Sequence, residues 1–281
     1  IGGDIRGLFL PEEKCVWLSA DWSQQEPRLM AHYASLLGLQ GADEVVRAYQ
    51  EDQRTDFHTL VGELTGLERK PAKAISLGLA YGMGKRRLAE SLGLPGDEAE
   101  RVMDKYHEAV PWVRGLSEAA RRQASDRGSI RTTLGRLCRF DMWEPARPGF
   151  HPAKKRAEAE ALYGRPLRRA KTHAALNRLV QGAASDAMKA AMVKMFEEYD
   201  IVPHITIHDE VCLSVPKSHS TAGSTLAQRE LVRTVEYCMR TALPNISVPM
   251  AVDLEKGPDW GHLSPLELSL NNVVKEEHDT W

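Results

Sequence analysis

Two acidic positions far apart in the chain carry the strongest chemical signal. Asp21 closes an apolar run, Val16-Trp17-Leu18-Ser19-Ala20, and opens the stretch Asp-Trp-Ser-Gln-Gln-Glu-Pro-Arg; a carboxylate pair, Asp209-Glu210, follows His208. Either segment alone is weak, because an Asp at a strand end is commonly a turn or cap residue. Together, such carboxylates suit metal-assisted phosphoryl chemistry.

A third segment lies between them. Through Arg69-Lys-Pro-Ala-Lys-Ala-Ile-Ser-Leu-Gly-Leu-Ala-Tyr-Gly82, the residues Arg69, Lys73, Leu77 and Tyr81 recur every four positions, which on an α-helix places them on one face. Two cations followed by an apolar residue and a phenol suit a grip on a triphosphate at one end and a stacked base at the other. The plain alternative is a solvated amphipathic helix.

In order and in chemistry, the three segments resemble motifs A, B and C of the family A DNA polymerases, the DNA polymerase I-like enzymes, over about Ile5 to Trp260. The resemblance implies an α+β fold: an antiparallel palm sheet carrying the carboxylates over 1–55 and 129–261, a largely helical fingers subdomain over 56–128, and a tail over 262–281. It implies DNA-templated addition of deoxynucleotides to a primer 3′ end with release of pyrophosphate. Two magnesium ions would be held by Asp21 and Asp209, with the Trp22 backbone carbonyl as a further ligand and Glu210 as an auxiliary carboxylate. Lys73, counted with these three as catalytic, would meet the phosphate under attack. Arg69 would meet the terminal phosphate and His58 another triphosphate oxygen, with Gln24, Leu77 and Tyr81 also at the nucleotide. Glu26 matches the steric gate that crowds the sugar 2′ position and selects deoxynucleotides. Arg136, Asn177 and Gln181 match residues that touch the minor groove of the nascent duplex, and His208 would lie against the primer terminus. The implied partners are primer-template DNA and deoxynucleoside triphosphates.

Departures from the family pattern bear on detail. Leu77 stands where Phe or Tyr is usual, which keeps apolar contact but forfeits stacking and implies slower or more selective insertion and altered tolerance of dideoxynucleotides. Gln25 and Pro27 replace apolar positions, Thr206 stands where Gln is common, and Leu137-Cys138 stand where basic residues often occur. Only about twenty residues precede Asp21, where the family places a thumb, part of the palm and often a 3′–5′ exonuclease. The expectation is a fragment, or the carboxy-terminal subunit of a split enzyme whose amino-terminal chain supplies thumb and exonuclease. Two other readings stand beside this one: a polymerase-like nucleic-acid-binding subunit inactive alone, and a two-metal nuclease. The Arg69-Lys73-Tyr81 pattern argues against the nuclease, which needs no triphosphate grip.

The elements that must position these residues follow from patterning. Val16 to Ala20 reads as a buried strand, and Pro27 with Leu29, Met30, Tyr33, Leu36 and Leu37 as the amphipathic helix after it. Asp56 to Tyr106 is helical in pattern, with Asp97 as N-cap of a helix over 98–109. Pro111 starts another helix ending near Gly128, two short runs around Leu134-Gly135 suggest a hairpin, and a long helix spans 171–199. The segment 141–170, with Pro145, Pro148, Gly149, Pro152 and Gly164, reads as an irregular insertion with some helix at 153–162. His204 to His208 and Val211 to Val215 read as strand, turn, strand. A helix over 224–243, a strand over 247–254 and a frayed acidic tail over 264–281 complete the expectation.

Composition sets the outer bounds. A chain of 281 residues, 42% apolar, can bury a sizeable core. No apolar stretch approaches the roughly 20 residues that cross a bilayer, so no membrane partner is expected, and the expected setting is the cytoplasm of a bacterium or virus-infected cell. Cys15, Cys138, Cys212 and Cys238 show no CxxC pair and read as reduced thiols. The net charge of −2 is unevenly spread: residues 111–178 hold 16 Lys or Arg against 6 Asp or Glu. A basic stretch beside an acidic remainder suits nucleic acid held near a metal site.

Overall fold

The computed structural model describes residues 3–217 and 226–266. A short helix α1 (Gly3–Arg6) leads into β1 (Cys15–Trp22), followed by α2 (Gln25–Leu36), α3 (Ala42–Glu51), α4 (Phe57–Thr65), α5 (Arg69–Ala80), α6 (Lys85–Leu92), α7 (Gly96–Ala109) and α8 (Pro111–Arg127). Next come β2 (Ser129–Arg131), β3 (Leu137–Arg139), β4 (Met142–Pro145), β5 (Lys154–Lys155), α9 (Arg156–Tyr163) and β6 (Leu167–Arg169). A 3₁₀ turn at Thr172–Ala174 opens α10 (Ala175–Tyr199); β7 (Ile205–Ile207), β8 (Glu210–Pro216), α11 (Leu226–Arg240), β9 (Val252–Gly257) and β10 (Ser264–Pro265) follow. The chain divides into two compact units, one of residues 1–22, 192–239 and 252–281, the other of 23–191 and 240–251.

The first unit is built on a five-stranded sheet in the order β10-β9-β1-β8-β7, and every pairing in it is antiparallel. Trp17, Leu18, Ser19 and Ala20 are all buried, as expected of a central strand covered on both faces. That central place decides the neighbours of Asp21: it sits opposite Glu210 of β8 and opposite Asp253 of β9. Directly paired residues project from the same face of a sheet, so the register itself crowds three carboxylates. The same face holds a core of Trp17, Cys212 and Trp260.

The second unit is largely helical. On α5 the buried positions are Ala72, Ile75, Ser76, Leu79 and Ala80, while Arg69 and Lys73 are exposed and Leu77 and Tyr81 half-buried. This is the four-residue stripe seen in the sequence, with its apolar reverse face turned into the unit. Tyr106 of α7 supports it from below, its hydroxyl donating to the Ser76 carbonyl at 3.1 Å. The expected hairpin forms as β2 and β3, with Ser129 opposite Arg139.

Four expectations change. The segment 141–170 is ordered into a three-stranded sheet, β5-β4-β6, with α9 beside it. Its strands are two to four residues long, too short for an alternating pattern, and Trp143 binds the guanidinium groups of Arg156 and Arg169 at 5.0 and 4.6 Å from its ring centre. Asp97 is not the N-cap of α7: Pro95 occupies the cap, and Asp97 and Glu98 lie in the first turn, where carboxylates favour the helix dipole. Strand β9 starts at Val252 rather than 247. Residues 247–251 are tied down by side chains instead: Ser247 N–H donates to His32 Nδ1 (3.1 Å), Gln50 donates to the Ser247 carbonyl (2.8 Å) and Arg28 to the Pro249 carbonyl (2.6 Å). The expected tail falls partly into β10 at Ser264–Pro265, and its residues from 267 onward lie outside the described residues, as do 224 and 225 at the start of the expected last helix.

Candidate active site

In the first unit, Asp21, Asp209, Glu210 and Asp253 converge at the ends of β1, β8 and β9. Asp209 lies in the turn before β8, and its carbonyl accepts from Trp22 N–H at 3.2 Å. His208 in that turn has φ of 55°, a left-handed conformation available to few side chains without strain. Burial raises the Asp21 carboxyl to about 7, and the charges of Asp209, Glu210 and Asp253 add to this. Asp21 Oδ1 is buried and has no hydrogen-bond donor among the described residues. Asp253 was not singled out in the sequence, where Val-Asp-Leu-Glu is an ordinary half-exposed strand; only the register with β1 brings it to the site.

Glu210 differs from its neighbours. Its Oε1 accepts from Ser19 Oγ (2.7 Å), Trp260 Nε1 (2.6 Å) and Cys212 Sγ (3.2 Å), and its Oε2 lies 3.8 Å from Arg6 Nη2. Burial, with Glu210 adding to it, pushes the Cys212 thiol up to about 12, so that group is a neutral donor. Glu210 is thus satisfied by the protein, whereas the Oδ1 of Asp21 has no partner among the described residues.

Among the described residues no group of three or more His, Cys, Asp or Glu side chains is placed to hold a metal ion. Magnesium does not require one: it is typically held by one or two carboxylates, with waters and substrate phosphates completing its octahedron. A buried, donor-free carboxylate oxygen on Asp21 beside Asp209 fits that chemistry, and the Trp22 carbonyl belongs to the same strand end.

In the second unit, α5 presents Arg69 and Lys73. Arg69 Nε is paired with Asp56 Oδ2 at 2.5 Å, and Asp56 also caps α4 by accepting from the backbone of His58 (2.9 Å) and Thr59 (3.3 Å). Burial opposes its ionisation, but Arg69 and these two N–H groups hold the Asp56 carboxyl below its usual range. Lys73 has no ion pair among the described residues. His58 is buried, bonds Ser76 Oγ through Nδ1 at 2.8 Å, and is pushed down to about 4 by burial and then by Lys73 and Arg69 against the opposing charge of Asp56. It is a neutral imidazole at physiological pH.

The Tyr81 hydroxyl donates to Glu26 Oε2, joining the end of α5 to the first turn of α2; burial and this carboxylate raise the phenol far above its usual range. Gln24 has φ of 53° and bridges two backbone groups, donating to the Thr55 carbonyl (3.0 Å) and accepting from Phe57 N–H (2.8 Å). Arg136 is held by Asp186 Oδ1 at 2.5 Å, and Thr132 donates to the other oxygen at 2.6 Å. A Cβ on Gly182 would lie 3.7 Å from Arg136 Cδ, so Arg136 packs on α10 at Gly182, the helix that also carries Asn177 and Gln181. The structure therefore groups Arg69, Lys73, Leu77, Tyr81, Glu26, Gln24 and His58 around α5, and Arg136, Asn177 and Gln181 at α10. His208 belongs to the carboxylate-bearing unit.

The central strand of the sheet ends in crowded carboxylates, and the chain also carries a cationic helix stripe, groups able to attract a cation and an anion respectively. The profile of DNA polymerase family A matches residues 1–262, and the chain belongs to that family. It is 32% identical to a DNA-directed DNA polymerase of Pseudomonas phage M6, with 92% of this chain and 40% of the phage protein covered. It is 31% identical to the thermostable DNA polymerase I of Thermus aquaticus, over 92% of this chain and 29% of that one. Among solved structures, the POL domain of Pol1 from M. smegmatis in complex with DNA primer-template and dNTP is 27% identical with a TM-score of 0.68, covering 92% of this chain and 42% of the other. The chain spans less than half the length of each.

Proposed function

We propose that this chain is the palm-and-fingers portion of a DNA-templated DNA polymerase that adds deoxynucleotides to a primer 3′ end and releases pyrophosphate. The observation that carries the reading is the Asp21 carboxyl, buried among three other carboxylates with a donor-free oxygen, in a family A chain. Asp21, Asp209 and the Trp22 carbonyl would hold the metal, as two magnesium ions. When bound, the metal neutralises charge developing on the phosphate and lowers the pKa of the attacking hydroxyl. Glu210 positions the β8 end rather than binding metal.

Lys73, without an acidic partner among the described residues, meets the phosphate under attack; Arg69 leaves Asp56 to meet the terminal one. His58 offers a neutral hydrogen bond in place of a charge. Leu77, Tyr81 and Gln24 shape the nucleotide site, and Glu26, held by Tyr81, crowds the sugar 2′ position. Arg136, Asn177 and Gln181 read minor-groove acceptors that recur in every correct pair, and His208 lies against the primer terminus. Fixing hydroxyl, phosphorus and leaving group in line supplies much of the rate.

The test is magnesium-dependent primer extension by the 281-residue chain and by Asp21→Ala, with deoxynucleotides and ribonucleotides in separate reactions. The expected outcome is extension by the wild-type chain with deoxynucleotides alone, abolished in the variant. In a second reading the chain binds primer-template but turns over only together with a polypeptide that supplies thumb and exonuclease. Extension appearing only when such a polypeptide is added decides for it, and extension in Asp21→Ala sinks both.

A further inference from the structure

The ordered segment 141–170 has no part in the roles above, yet it borders a cavity of about 550 Å³ in the second unit. That volume is of the size that takes one small organic group; a B-form duplex, whose major groove alone is about 12 Å wide, cannot enter. Cations dominate the lining: Arg139, Lys171, Arg178 and Arg168 face Asp141 and Glu144. Arg168 already neutralises Glu144, at 2.9 Å. Arg139 and Lys171 are exposed and have no acidic partner among the described residues.

Two further observations point to a flat, polar-edged ligand. Phe150, in the lining, is 95% exposed, an orientation that wastes an aromatic ring unless something stacks on it. His151 is also in the lining; its Nε2 is buried and has no partner among the described residues, and its ring meets that of Tyr163 in an edge arrangement with centroids 5.8 Å apart. The cavity is continuous with the proposed duplex contacts: Arg139 follows Arg136 on the same hairpin, and Arg178 lies one turn before Gln181 on α10.

Resting on the polymerase reading, we infer that this cavity holds an unpaired base of the single-stranded template, stacked on Phe150 and hydrogen-bonded by His151, with the flanking phosphates on Arg139 and Lys171. Single-strand sites combine such an aromatic platform with a cationic track, and every base offers a ring face, so the site is blind to sequence. The duplex is left to Arg136, Asn177 and Gln181.

The test measures binding of labelled primer-templates with a six-nucleotide 5′ overhang or a blunt end, by fluorescence anisotropy, for the full chain and three variants. Phe150→Ala should weaken overhang binding about 5- to 100-fold and leave blunt-duplex binding unchanged; Phe150→Trp should retain it. Arg139→Gln with Lys171→Asn, the Asn suiting the left-handed backbone at 171 (φ 59°), should lower the salt slope for the overhang substrate by about 1.4, roughly 0.7 per phosphate. Equal losses on both substrates, or no loss on the overhang, overturn the inference. Extension assayed on the same preparations separates the two claims. Wild-type extension with overhang binding unaltered by the variants removes the inference alone. Absence of any primer-template binding removes the inference and the polymerase reading together.

Discussion

Glu210 stands next to Asp209 in the chain and is held by the protein itself. Glu210 is saturated by Ser19, Trp260 and Cys212, so Glu210→Gln should reduce extension at least about 10- to 100-fold less than Asp209→Asn, while lowering stability by about 1–3 kcal/mol through the disturbed buried acceptor. Parallel kinetics and urea unfolding of both variants check this, and equal kinetic damage refutes it. Asp21 makes a prediction with a sign. Its folded pKa of about 7 stands above the ordinary 3.8, so the unfolded chain releases this proton first, and stability falls as pH rises from about 4 to about 7. Asp21→Asn removes that decline, and its gain in Tm over the wild type should be larger at pH 8 than at pH 5; a pH-independent difference counts against it. Asp21 and Asp209 were legible in sequence because each stands beside a strand-like apolar run. Asp253 was not, and neither was the satisfaction of Glu210, since both depend on partners that only register and tertiary folding supply.

At the scale of elements, the four-residue stripe and the buried strand were readable because each obeys its own period over enough residues to stand out. The β4-β5-β6 sheet escaped because its strands are shorter than any period, and the start of β9 escaped because residues 247–251 are pinned by side chains from α2 and α3. Arg28 of α2 is central to that pinning. It is fully buried, donates to the carbonyls of Ser23 (2.8 Å), Gln53 (2.6 Å) and Pro249 (2.6 Å), and lies 4.4 Å from the Tyr49 ring centre. Arg28→Met would strand these acceptors and should cost about 3 kcal/mol or more. Arg28→Lys should recover only part of it, because an ammonium cannot reproduce the planar fork. Denaturant midpoints measure both, and a loss under about 1 kcal/mol for the Met variant would show the carbonyls find other partners.

Taken as a whole, the molecule separates a carboxylate-bearing unit from a cationic one by charge that the sequence already showed, since residues 111–178 carry a local excess of ten positive charges. What the sequence could not show is how the chain is shared out: one unit is assembled from three separate stretches and the other from two. The segment 141–170 lies within one of them, and its ends are neighbours, with Trp143 opposite Arg169 and Ala170 N–H donating to the Met142 carbonyl at 2.8 Å. Joining 141 to 170 through a short Gly-Ser link should therefore leave a folded protein, with a Tm within a few degrees of the wild type and the overhang preference gone. A collapse of the circular-dichroism melt would show instead that the segment is integral to its unit. The same closeness of ends bears on ancestry. Recombination that swaps a piece of the carboxylate unit would cut a sheet woven from distant stretches, whereas exchange of this segment, whose ends meet, would leave that sheet whole.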